Sequence, residues 1–361
     1  MGDIVRLNVP FRQPAKMSGQ AALVTTFATQ RRHRDDVFWM KENAELLNVL
    51  ETTGSLREPD ALALHLAFYE DIENRLGFFP QYYRFLLSIC LDLEDLGIGG
   101  AKSEKLVHWV VTEGLAEAEL SDLQRAEARR LCLRRGIDPL PHDAGLNDRL
   151  RGFARRSATF AMPNKKAAYE LTHIVFYLSE YGRRDPGLDE VFLDSLVFAG
   201  TLAFLDMNLD LLSEICIALR FAGATPPDIW ERWIRDQAAR FRINSVDAAT
   251  APDDYHSFLM VNWHLALAGQ GGFSLAVPEG PLAFRHIPSG QGPLRELSEC
   301  MYGLGDRRSA DWLVMKAAIH DKLSSEARSV LALAEAATDR FDAFFAGFAR
   351  TGLAGLGGDR S

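Results

Sequence analysis

Three stretches of the chain run apolar at helical spacing and then stop at a glycine: AAYELTHIVFYLSEYG at Gly182, LDLLSEICIALRFAG at Gly223 and DDYHSFLMVNWHLALAG at Gly269. The glycines stand 41 and then 46 residues apart, the length of a helix pair with its connections, so the pattern reads as a degenerate helical repeat. Thirteen residues before each glycine stand Tyr169, Asp210 and His256, and nine before stand His173, Glu214 and Met260. Polar side chains therefore recur near the starts of otherwise apolar helices.

The same periodicity predicts helix over most of the chain. Apolar positions mark 18–53 up to a break at Gly54, then 59–76, 80–96, 101–113, 121–135 and 145–158, with glycines and prolines between them as stops. Beyond Pro163 the expected helices are 165–181, 188–206, 209–222, 227–241 and 255–268. Those ending at the three glycines are apolar nearly all round and should form an inner layer. The helices 188–206 and 227–241 read as amphipathic and should form an outer one: Ile229, Trp230, Trp233 and Ile234 oppose Glu231, Arg232 and Arg235. Alternating layers, with the inner helices all pointing one way, are the plan of an all-α fold, an α/α-toroid or helical-repeat superhelix. In that plan the inner helix starts open at one mouth. Arg84, 13 residues before Gly97, falls in the same register.

Between 269 and 292 glycines and prolines interrupt any helix, and the segment reads as an irregular functional loop with 276–277 and 282–284 as candidate short strands. Helices resume over 293–302, 307–322 and 324–350. The organisation expected is an N-terminal extension with helices over 1–57, mobile through about Lys16, a helical domain over 58–350 and a flexible tail over 351–361.

Composition narrows the function classes. A 47% hydrophobic and 25% charged chain is that of an ordinary folded protein. A net charge of −9 argues against broad attraction to nucleic acid or anionic lipid, and the basic clusters at Arg31 to Arg34 and Arg129 to Arg135 read as solvated helix faces. No apolar run reaches the length of a membrane span, and MGDIVRLNVPF lacks the basic-then-apolar order of a secretory signal. Cys90, Cys132, Cys216 and Cys300 show no CxxC spacing. The expectation is a cytoplasmic protein with reduced cysteines and neither a nucleic-acid nor a membrane partner.

Glu214 is set among Leu211, Leu212, Ile215, Cys216 and Ile217. A carboxylate buried there costs several kcal/mol unless paired, hydrogen-bonded, protonated or bound to a metal. Asp210 lies one turn earlier on the same face, and two carboxylates in one region repel unless a cation sits between them. A histidine in the first turn of a helix meets the positive end of the dipole, which favours the neutral imidazole that metals need. The predicted ligand set is His173, Glu214 and His256 around zinc or iron, with Asp210 as fourth ligand or general base. Tyr169 and Arg84 are the expected substrate contacts. The function expected is a metal-dependent enzyme acting on a small organic or peptide-derived substrate; a non-catalytic helical binding module is the alternative.

Plainer readings stand beside these. His173 pairs with Glu214 as a structural contact without an ion, Asp210 merely complements a helix start capped by Asn208, and His264 is a satisfied core residue. Asp92, Glu94 and Asp95 superficially match an acidic motif of helical terpene cyclases, but they precede a helix-ending glycine and lack a second magnesium motif. No Walker loop, no GxSxG and no GxGxxG after a strand is present.

The helices LTHIVFY at 171–177, DLLSE at 210–214 and YHSFLM at 255–260 resemble those of uncharacterised bacterial proteins with a domain of unknown function, typified by LTHxxFY, DLLxE and YHxxxV-like helices. Met260 stands where valine would sit, and the likeness spans roughly residues 60–270. The resemblance implies no activity. In plan the chain also looks like the α/α-toroids of lanthionine and terpenoid cyclases, without the zinc-binding cysteines of the former.

Overall fold

Helices follow one another in pairs. The first are α1 (Gly19–Thr29) with α2 (Val37–Thr53), α3 (Leu66–Phe78) with α4 (Tyr83–Asp95), and α5 (Lys102–Thr112) with α6 (Asp122–Leu133). Next come α7 (Leu146–Ala154), the single turn α8 (Ser157–Phe160) and α9 (Lys165–Leu178), then α10 (Glu190–Leu205) with α11 (Leu209–Phe221), and α12 (Asp228–Ala238) with α13 (Tyr255–Leu267). The computed structural model describes residues 19–246, 253–278 and 280–351. The expected mobile start through Lys16 and nearly all of the expected tail lie outside the described residues.

Local chemistry sets the helix starts. Asp36, Ser121, Asn164, Asp189 and Asn208 each accept a hydrogen bond from a backbone N–H two or three residues on, satisfying donors that the first turn leaves free. At the stops Gly182, Gly223 and Gly269 all take positive φ, which glycine adopts without a Cβ penalty. The protein is all-α apart from a two-stranded sheet.

Packing among the apolar helices returns to its start. α9 packs on α11, α11 on α13, α13 on α2, α2 on α4, α4 on α6 and α6 on α9. The alternate helices α1, α3, α5, α7, α10 and α12 each pack against one or two members of this ring. α2, expected in an N-terminal extension, is thus one of the six; Leu46, Leu47, Val49 and Leu50 are buried along it.

α10 departs from its expected amphipathic, outer character: twelve consecutive or near-consecutive residues from Phe192 to Leu205 are buried. The reason lies far along the chain. After α14 (Leu294–Leu304) and α15 (Trp312–Ile319), α16 (Ser325–Ala337) and α17 (Phe341–Phe348) fold back over α10. Its other side is held close by Gly200, where an added Cβ would lie 2.4 Å from the Trp230 ring of α12. α12 keeps the expected stripe, with Trp230 and Ile234 buried.

The sheet pairs β1 (Phe241–Ser245) antiparallel with β2 (Leu282–His286), Phe241 opposite His286 and Ser245 opposite Leu282. β2 falls on the expected strand at 282–284, whereas β1 begins where helix was expected to end. Its pairing partner lies some 40 positions away, beyond the reach of local periodicity. Arg31 ties this hairpin to the ring: it donates to Glu42 of α2, to Asp253 ahead of α13 and to the Leu282 carbonyl, beneath the rings of Phe27, Tyr255 and Phe284. Arg31 is therefore buried, not solvated as its basic run suggested. Arg130 is likewise buried, and the partly buried Arg134 meets Asp92 at 2.6 Å. Among the described residues no helix is long and apolar enough to cross a membrane, and the four cysteines are free.

Candidate functional site

All six ring helices line one cavity of about 290 Å³. Glu45 comes from α2, Arg84 and Ser88 from α4, Arg130 from α6, His173, Phe176 and Tyr177 from α9, Glu214 from α11, and His256 and Trp263 from α13. Glu214 and His256 sit in the first two turns of α11 and α13, and His173 one turn deeper in α9.

Glu214 is almost wholly buried. Its Oε2 accepts the Thr172 hydroxyl at 2.6 Å, and its Oε1 lies 3.6 Å from His256 Nε2. Asp210 repeats the arrangement: Oδ2 accepts the Tyr169 hydroxyl at 2.8 Å, while Oδ1 lies 3.6 Å from the same Nε2 and has no hydrogen-bond partner. Two hydroxyls of α9, three residues apart, thus fix one oxygen of each carboxylate and leave the other turned toward His256. Asp210, Glu214 and His256 each offer a ligand atom within 4.8 Å of the others. Behind the imidazole, Nδ1 faces Glu45 Oε2 at 3.4 Å, and both of these atoms are buried without a hydrogen-bond partner.

The electrostatics follow from three carboxylates around one imidazole. Burial works against a charge on His256, but Glu214, Glu45 and Asp210 outweigh it and hold its pKa well above the ordinary value. Burial, with Glu214 adding to it, pushes the Asp210 carboxyl up despite His256. Glu45 goes the other way, since His256 overcomes its burial and lowers it. Burial and Asp210 together raise the Tyr169 phenol, which stays a donor.

The remaining predicted residues are placed differently. His173 does not join the compact set of three: its Nδ1 lies 2.7 Å from the Tyr169 carbonyl and 4.0 Å from Glu214 Oε2. Since only a protonated Nδ1 can donate to that carbonyl, Nε2 is the ring nitrogen left for other contacts. The hydrogen bond to Glu214 that a structural His173 would make comes from Thr172 instead. Tyr169 holds a carboxylate. Arg84 lines the cavity, but its guanidinium is engaged by Glu119 at 2.9 Å and by Glu127. Asn208 caps α11 as expected, with Asp210 in the first turn behind it. His264 is buried as expected, yet neither ring nitrogen has a hydrogen-bond partner.

A family model for a domain of unknown function (DUF6902) matches residues 1–351. The chain belongs to this family. A DUF6902 domain therefore takes in α1, α2 and the C-terminal helices as well as the 60–270 stretch that carries the LTH, DLLxE and YH helices, and Glu45 lies within it. No curated protein and no solved structure matches the chain.

Sequence reasoning missed Thr172, Glu45 and Arg130. Thr172 had a signal, the i, i+3 spacing from Tyr169 that puts both hydroxyls on one face. Glu45 had none, because KENAELL reads as a solvated stretch of helix. Asp92 and Glu94 are structural: Asp92 pairs with Arg134, and Glu94 accepts from Tyr69, Ser103 and Arg135.

Proposed function

We propose that this protein is a metal-dependent enzyme acting on a small organic substrate, with zinc or iron held by Asp210, Glu214 and His256. One observation carries the reading. The 3.6 Å separations from His256 Nε2 to Asp210 Oδ1 and Glu214 Oε1 are too long for hydrogen bonds. They are close to the roughly 3.4 Å edge of a tetrahedral site with bonds of about 2.1 Å. With Nε2 given to the ion, Nδ1 holds its proton toward Glu45, an outer carboxylate that orients a ligating histidine. Three protein ligands would leave a coordination position for water or substrate, and an ion held there would supply Lewis-acid chemistry. His173, half exposed with a free Nε2, is the residue placed to take up or return a proton.

The cavity's size supports a small organic molecule over a peptide, since about 290 Å³ lies at the lower end of ligand pockets. We read the returning packing order as an α/α toroid with its mouth at the inner helix starts. The free cysteines support a cytoplasmic setting.

A binding module is the second reading, favoured by the raised pKa of His256: an imidazolium among three carboxylates supplies positive charge without a metal. Elemental analysis of the full chain separates the two. The enzyme reading expects one zinc or iron per chain, lost in Asp210→Asn, Glu214→Gln and His256→Ala variants that keep their circular dichroism. A wild-type protein that stays metal-free after loading with zinc or ferrous iron leaves the binding module.

A further inference from the structure

We propose that the cavity takes an organic anion, a small planar or aromatic carboxylate, whose charged group meets Arg130 and whose body lies among Phe176, Tyr177, Tyr181 and Trp263. This deepens the enzyme reading by naming the substrate class, and rests on that reading only for the claim that the bound molecule reacts.

Three hydrogen-bond donors on this part of the cavity wall are buried without partners: Arg130 Nε, Trp263 Nε1 and the Asn48 side-chain amide. Unpartnered indole N–H groups occur elsewhere, at Trp230 and Trp312, but neither lines this cavity. A buried donor left unsatisfied is costly, and these three belong to side chains that surround one cavity. Arg31 shows what a satisfied buried arginine looks like here, with two carboxylates and a carbonyl on its guanidinium. Arg130 has a side chain only 4% exposed and one hydrogen-bonding partner, Glu180 at 3.4 Å. A carboxylate fits a guanidinium in two parallel hydrogen bonds.

The aromatic walls set the rest of the molecule. Phe176 and Trp263 stand with centroids 5.2 Å apart, and Tyr181 stacks on Trp263 at 15°. An aromatic box of this kind also suits a cationic ligand. Here Arg130 already lies 4.2 Å over Tyr181 and 5.6 Å from Tyr177, so a second cation would meet a like charge. The residues around the cavity are thus polarised: carboxylates at Glu45 and Glu214 beside His256, and unpartnered donors at Arg130, Trp263 and Asn48. An anion among the donors presents its opposite end toward His173 and the carboxylates.

Calorimetric titration of the full chain with benzoate, phenylacetate and trans-cinnamate, each beside its carboxamide, and with phenethylamine, tests this. At least one carboxylate is expected to bind tenfold or more tightly than its amide. Arg130→Gln is expected to abolish that preference while metal content stays at the wild-type level. Trp263→Phe keeps an aromatic ring and removes the N–H, and weakens the carboxylate several-fold; it carries the test if Arg130→Gln fails to fold. Equal binding of acid and amide, tighter binding of the amine, or no carboxylate binding overturns the proposal. Carboxylate binding by a protein that holds no metal upholds this site and sinks the enzyme reading instead; a metal-loaded protein indifferent to carboxylates does the reverse.

Discussion

The half of the ring built by α9, α11 and α13 and the half built by α2, α4 and α6 face one cavity with similar chemistry, yet they differ in how they were made. In the first half polar residues interrupt apolar helices, and each of Asp210, Glu214 and His256 is out of place in its sequence neighbourhood. In the second half Glu45 and Arg130 sit in helices rich in charge, where nothing distinguishes an inward from an outward side chain. The first half supplies the candidate ligands; the second supplies the carboxylate behind His256 and the guanidinium proposed to receive the substrate. Chemistry concentrated in the conspicuous half is therefore completed by the inconspicuous one.

The strongest way to break this comparison is at the seam between the halves. Arg31 joins Glu42 of α2 to Asp253 at the start of α13, and Arg31→Ala leaves Asp253 without its guanidinium and Glu42 with Arg32 alone. About 3–5 kcal/mol of stability should go, with His256 displaced from Glu45; urea unfolding measures the first. A loss under 1 kcal/mol would mean that the seam is held by other contacts.

Each half also buries one neutral histidine, His65 against Asn43 of α2 at 2.8 Å and His264 within α13. Burial, with Arg34 near the one and Arg220 near the other, lowers both from 6.5 to about 4. Their folded pKa values lie below the unfolded ones, so on acidification the unfolded chain takes up protons first. Stability from this source is full above about pH 6.5 and is lost as pH falls toward 4, by up to about 3 kcal/mol for each histidine. Denaturation midpoints across that window should decline, and His65→Gln and His264→Gln should each flatten the decline. Equal slopes in wild type and variants would contradict it.

Substitutions around the proposed metal ligands separate the two halves further. Thr172→Val in the first half and Glu45→Gln in the second each remove a group that orients a ligand, and each should weaken zinc binding about 10–100-fold. An effect confined to Thr172→Val would reduce Glu45 to a bystander. The smallest effect is expected at Asn208, which caps α11: Asn208→Ala should cost about 1 kcal/mol in thermal unfolding, without loss of metal, because Asp210 is fixed by Tyr169.

The all-α class and most of the helices were legible because apolar spacing and glycine stops are local. α10 was misread because its cover, α16 and α17, arrives more than a hundred residues later, and β1 because its partner β2 lies across α13. The convergence of Asp210, Glu214 and His256 was legible from register alone. The exchange of His173 for Asp210 in the compact set was not, since it turns on Nδ1 of His173 choosing the Tyr169 carbonyl one turn back. The buried arginines were misread for a simpler reason: a basic run names a solvated face unless its carboxylate partners are known, and Glu42, Asp253, Asp92 and Glu180 are distant in sequence.

The central claim is that one ion sits where Asp210, Glu214 and His256 meet. Anomalous scattering at the zinc or iron edge from crystals of the metal-loaded full chain tests it most directly. The account predicts a single peak about 2.0–2.2 Å from Asp210 Oδ1, Glu214 Oε1 and His256 Nε2. A cavity without a peak, or a peak bound by His173 with Asp210 turned away, would contradict it.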